Sequence, residues 1–260
     1  MDFSVEKKFD LNVNDINDSV VLIGWPGIAL VAKLAISSIK DALKAQLFLD
    51  IEYFDFPPKS TVEAGILDMP LAKLYYISRD DNDLFILTAN FQPQGAEGVF
   101  DFTKKFCEEM DRITSGKIKM YVSTGALVTD KVSDDPKVHV CSTDEVLMST
   151  FLELDNTIMM DGGIIAGANG ILPAYAGVKG FAPGICLLAE TIPLPMMSLD
   201  PRASKALVKL LNDYFNLDVS YDELDKKIKE MQNIFDSFKK QADWFMKGAK
   251  EDKGPDSYFR

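Results

Sequence analysis

A chain of 260 residues, 47% hydrophobic and 26% charged, can bury a large core and has the composition of an ordinary globular protein with one sizeable domain and an appendage. Its net charge of -12 would repel a phosphate backbone and an anionic membrane surface, so nucleic acid and membrane are excluded as expected partners. Three cysteines far apart in the chain, Cys107, Cys141 and Cys186, form no Cys-x-x-Cys pair for zinc or dithiol chemistry, and a reduced, cytoplasmic location is expected.

Residues 1–10 have no apolar core behind a basic start and do not read as a secretory signal. Residues 20–23 form a continuous aliphatic run that ends in Gly24-Trp25-Pro26-Gly27, and 28–45 are rich in Ala, Leu, Ile and Lys: a buried strand, a tight turn and a helix. The longest apolar stretch, 20–32, is broken by Gly24, Pro26 and Gly27 and is too short to span a bilayer. Further strands are expected at 46–51, 71–78, 84–88, 118–122, 138–141 and 184–189. Helices are expected at 96–113, after the Gln92-Pro93-Gln94-Gly95 turn, and at 144–154, with Ser142 or Thr143 supplying the N-cap oxygen. Strands alternating with helices predict an α/β fold, a mainly parallel sheet covered on both faces in three layers. Residues 161–195 are dense in glycine and proline, so backbones can approach closely there.

Asp200-Pro201 places a cap and an N1 proline ahead of a helix with an apolar face of Ala203, Ala206, Leu207, Leu210, Leu211 and Tyr214, and Asn216 is its expected stop. The final helix carries a capping-box pair, Ser220 and Glu223, and a heptad seam of Tyr221, Leu224, Ile228, Met231, Phe235, Phe238, Ala242 and Phe245. Ile234, Trp244 and Met246 widen that stripe, so the helix needs something to pack on. The candidates are the chain's own domain and a neighbouring subunit; the heptad register leans to the second. Beyond Lys247 the pattern dissolves into a charged run and Gly254-Pro255-Asp256-Ser257, which is expected to be mobile. The chain therefore divides into an α/β domain (1–217), a long C-terminal amphipathic helix (218–247) and a tail (248–260).

Chemistry-bearing patterns are sparse. The turn holding Gly24 and Gly27 could present N–H groups to an anion, but it lacks the third glycine of a dinucleotide fingerprint and the Gly-Lys-Ser/Thr ending of a P-loop. The sole histidine, His139, lies between Val138 and Val140 in an expected strand, and no Gly-x-Ser-x-Gly elbow occurs. Ser123-Thr124-Gly125 is as readily a simple turn as an oxyanion site. No catalytic residue, cofactor or histidine–cysteine metal site is expected, whereas an all-carboxylate site stays open. Glu190 ends a buried strand, where open α/β sheets often place ligands; a cap or ion-pair role is the commoner one for such a residue.

Four segments in order resemble the PAC2 family: Gly24-Trp25-Pro26-Gly27-Ile28, the stretch from Ala166 through Gly167-Ala168-Asn169-Gly170 to Leu172, the stretch from Gly184 through Ile185-Cys186-Leu187 to Glu190-Thr191, and Asp200-Pro201 opening a helix. The likeness covers about residues 15–230. It implies a three-layer domain with a purine-nucleoside-phosphorylase-like outline, homo-oligomers, and binding to the α-subunits of the 20S proteasome, with no catalytic residues. Ala29 and Ala32 stand where the family frequently has small glycines. Proteasome activators and some of these chaperones end in a hydrophobic residue, a tyrosine and any residue; this chain ends Tyr258-Phe259-Arg260, with Phe259 in the tyrosine place. The expected function is thus an ATP-independent proteasome assembly chaperone or docking partner that offers Tyr258, Phe259 and Arg260 to the α-ring. The alternative is an enzyme of phosphorylase-like fold, binding a nucleoside or phosphorylated small molecule near Gly24, Gly27 and Glu190.

Overall fold

The computed structural model describes residues 2–130, 133–192 and 198–251, with side chains at all of these except 235 and 238–251. The elements in chain order are β1 (Phe3–Lys7), β2 (Ser19–Gly24), α1 (Val31–Ala42), β3 (Gln46–Tyr53), β4 (Thr61–Glu63), β5 (Ile66–Asp68), β6 (Leu71–Ile77), β7 (Asp83–Ala89), α2 (Ala96–Thr114), β8 (Ile118–Val128), β9 (Val138–Ser142), α3 (Glu145–Leu152), β10 (Thr157–Met159), α4 (Ala168–Val178), β11 (Gly184–Thr191), α5 (Pro201–Phe215) and α6 (Asp222–Glu251). Nine strands form one sheet in the order β1-β3-β6-β7-β2-β8-β11-β9-β10, and β4 with β5 forms a separate hairpin.

The centre of the sheet, β7-β2-β8-β11, is parallel, as the alternation of strands and helices predicts. Antiparallel pairs flank it: β1, β3, β6 and β7 on one side, and β9 against β11 on the other. Period-two alternation sends Val21, Ile23, Phe85 and Leu87 to one face, where α2 and α4 pack, and Val20, Leu22, Leu84 and Ile86 to the other, beneath α1, α3 and α5. Both faces are covered, so the central strands read as unbroken apolar runs.

Several local expectations need correction. The helix expected from residue 28 starts only at Val31: residues 28–30 form a 3-10 turn in which Ala29 (φ 46°) and Leu30 (φ 48°) are left-handed, and α1 ends at Ala42. Asp144, rather than Ser142 or Thr143, caps α3, its Oδ1 accepting from Leu147 N at 2.7 Å. The capping box of the last helix is half made, because Ser220 Oγ accepts from Asp222 N at 3.2 Å while Glu223 turns to Lys226 at 2.8 Å. Strands β1, β4, β5 and β10 and helix α4 lie where no element was expected. The leading turns of α6 pack on the chain's own domain: Leu224 joins the core cluster that holds Leu207 and Leu211, and Met231 is buried. The side chains of the seam residues Phe235, Phe238, Ala242 and Phe245 lie outside the described residues, as do those of Trp244 and Met246, whereas the flanking Ile234 is exposed.

Candidate functional site

The parallel strands end on one edge of the sheet, and the turn after β2 sits there. A Cβ at Gly24 would stand 2.6 Å from Ile36 Cβ and 2.7 Å from the Ala32 carbonyl oxygen, so glycine lets α1 settle directly on the strand end. Trp25 is fully buried, edge-on to Phe102 at 5.2 Å, and anchors the turn in the core. Two amides from distant segments then lace the turn to the start of α4. Gln92 Nε2 donates to the Pro26 carbonyl at 2.5 Å while its Oε1 accepts from Ala168 N at 3.0 Å, and Asn169 Oδ1 accepts from Trp25 N at 3.2 Å.

Between these parts lies a cleft of about 300 Å³, walled by Gly27, Ile28, Gly125, Leu127, Ile165 and Leu188, with Ile164 almost wholly exposed at its rim. Among the described residues lining it, the polar side chains are Gln92 and Asn169, and both are already engaged in the bonds above. Among the described residues, no carboxylate, imidazole, thiol or amine lines the cleft. Such a surface offers apolar burial and no group that would take or give a proton, or neutralise a phosphate.

A buried ion pair holds the left-handed turn from the other side. Asp200 N donates to the Ala29 carbonyl at 2.9 Å, and Asp200 Oδ1 caps α5 by accepting from Arg202 N at 3.0 Å. Thr191 Oγ1, at the end of β11, donates to Asp200 Oδ2 at 2.9 Å, Arg202 Nε lies 3.4 Å from Oδ1, and Ser204 Oγ donates to the Val31 carbonyl at 3.1 Å. The cap foreseen at Asp200-Pro201 therefore also ties β11, α5 and the first turn together.

The three residues picked from the sequence for a ligand are not brought into one place. Gly27 lines the cleft, Gly24 lies beneath Ile36, and Glu190 faces the sheet margin, its Oε1 3.1 Å from His139 Nε2 and its Oε2 accepting from Lys137 N at 3.3 Å. Tyr258, Phe259 and Arg260 are outside the described residues. Gln92 and Asn169 were missed as site residues, although Gln92 opens a recognised turn and Asn169 lies in a segment that carries the family likeness. Among the described residues no cluster of three His, Cys, Asp or Glu side chains is placed to hold a metal ion, and no helix is long and apolar enough to cross a membrane.

A family model, the PAC2 family, matches residues 21–239. An uncharacterized protein of Methanocaldococcus jannaschii is 28% identical over 240 residues, which is 92% of this chain and 90% of that one. In three dimensions the chain is similar to Pyrococcus furiosus PbaB, an archaeal proteasome activator, with a TM-score of 0.82 at 23% identity over 91% of this chain and 98% of that one. It is also similar to P. furiosus PbaA, an archaeal homolog of proteasome-assembly chaperone, with a TM-score of 0.73 at 19% identity over 95% and 96% of the two chains. At these identities the likeness to the solved structures is one of fold.

Proposed function

The chain belongs to the PAC2 family, and from that premise we propose that it is an ATP-independent assembly chaperone or docking partner of the proteasome, acting in the cytoplasm without catalysis. The observation that carries the reading is the match over residues 21–239, which takes in the whole sheet from β2 onward and the packed part of α6. The cleft supports it, because a wall of aliphatic side chains with both amides engaged suits the apolar surface of a protein partner.

In this reading the body self-associates and the last residues, Tyr258, Phe259 and Arg260, reach a pocket between neighbouring α-subunits. The aromatic rings supply apolar burial and the chain's carboxylate pairs with a lysine. Phe259 lacks the phenolic hydroxyl of tyrosine, so each tail docks weakly, and several tails on one oligomer compensate through effective concentration. Binding to immobilised 20S α-rings, with and without residues 258–260, tests this: truncation should abolish most of the binding, and unchanged affinity would remove the tail from the account. Light scattering checks the oligomer, for which a mass above that of a dimer is expected.

The enzyme reading would place a nucleoside or phosphate in the cleft, which lies where open α/β sheets bind ligands. The described residues lining it supply no charge for phosphate and no acid or base. A thermal-shift screen with nucleosides and phosphate should therefore show no saturable stabilisation, and a clear shift would favour the enzyme.

A further inference from the structure

Strands β9 and β11 run antiparallel, and their register sets Cys141 directly opposite Cys186. Main-chain bonds from Thr143 N to the Gly184 carbonyl at 2.8 Å and from Glu190 N to the Lys137 carbonyl at 2.9 Å bracket the pair. Alternation between these two points makes 141/186 one of the hydrogen-bonded positions, where opposing Cα atoms are about 5.5 Å apart. A disulfide spans Cα separations of roughly 4.4–6.8 Å. Cys141 Sγ lies 3.7 Å from the Cys186 carbonyl oxygen, and both side chains line one groove of about 150 Å³ between the strand pair and α4. Cys141 is partly open to solvent and Cys186 is buried.

The two thiols influence each other. The neighbouring Cys186 side chain draws the Cys141 thiol below its ordinary range, against the opposing effect of burial. The Cys141 side chain, reinforced by burial, pushes the Cys186 thiol well above it. The reachable sulfur is thus the better nucleophile, and the shielded one stands beside it.

We propose that Cys141 and Cys186 are a modification site, a dithiol that low-molecular-weight disulfides convert to a reversible cross-strand disulfide. Cys141 thiolate attacks one sulfur of the small disulfide, forming a mixed disulfide and expelling the first small thiolate, which takes up a proton. Cys186 then loses its proton, attacks Cys141 Sγ and expels the second. Two protein thiols are oxidised, one small disulfide is reduced to two thiols, and the two protons pass to them. Cys186 Sγ also donates to the Asn169 carbonyl at 3.7 Å, a bond that bridging removes. Asn169 is the residue that holds Trp25 N at the cleft, so the bridge acts on the start of α4 and through it on the cleft rim.

The test uses the full chain, incubated folded with oxidised glutathione, quenched with an alkylating agent, unfolded and mapped by mass spectrometry without reduction. Expected is a linked pair of peptides carrying Cys141 and Cys186, lighter by two hydrogens and fully restored by dithiothreitol, with buried Cys107 alkylated only after unfolding. Cys141→Ser, a small change at a partly exposed site, should abolish the bridge, and Cys107→Ser should leave it intact. A Cys141 that stops as a stable glutathione adduct, a link between two copies of the chain, or two free thiols after treatment would each overturn the proposal.

Discussion

Gly24 and Ala29 occupy the same turn and make opposite demands. Gly24 has no room for a side chain, because a methyl group would press on Ile36 and on the Ala32 carbonyl at 2.6–2.7 Å. Ala29 is held at φ 46°, where a side chain is strained and glycine is not. Gly24→Ala is therefore expected to destabilise by about 1–3 kcal/mol, and Ala29→Gly to stabilise by up to about 1 kcal/mol, both read from chemical denaturation midpoints. Tyr76 carries a pH prediction. Burial first, and then the hydrogen bond its hydroxyl donates to buried Asp83 at 2.8 Å, push its phenol from the ordinary 10 to about 12. Folding favours the protonated form, so this contribution is complete below pH 10 and lost as pH rises to about 12. Stability measured across that window should fall less steeply in Tyr76→Phe than in the native chain.

At the scale of the element, α5 and α4 make a contrast. The start of α5 at Asp200-Pro201 and its stop at Asn216, which adopts φ 50°, follow from cap chemistry that acts within a few residues. Asp200→Ala removes that cap and leaves Arg202 without its buried partner, so a loss of about 2–4 kcal/mol is expected in equilibrium unfolding. Helix α4 contains Gly170, Pro173 and Gly177, which lower helix propensity, and it was not legible as a helix. It exists because its neighbours need those residues: Gly170 lies against the Ile165 carbonyl and Gly177 against Thr143, with no space for a Cβ. Packing outweighs propensity there. For α6 the described part of the heptad stripe turns Leu224 and Met231 inward, yet the stripe could not say which surface would cover it, and the first turns found α5.

For the whole molecule, the tail prediction separates docking from folding. Removing residues 258–260 should leave the thermal midpoint unchanged while weakening binding to the α-ring by roughly 10²-fold or more if several tails act together; a shifted midpoint would mean that the tail is part of the folded body. The α/β class, the buried central strands, the α5 cap and the family likeness could all be read along the chain, since periodicity, turn chemistry and ordered motifs are properties of neighbouring residues. The cleft could not. Gln92, Asn169 and the Gly24–Gly27 turn meet across gaps of up to 144 residues. The Cys141–Cys186 pair, which sequence spacing gave no reason to expect, exists because two strands 45 residues apart adopt one register. Such meetings depend on the order and direction of strands in the sheet, a choice made by the sum of many packing contacts and marked at no single position.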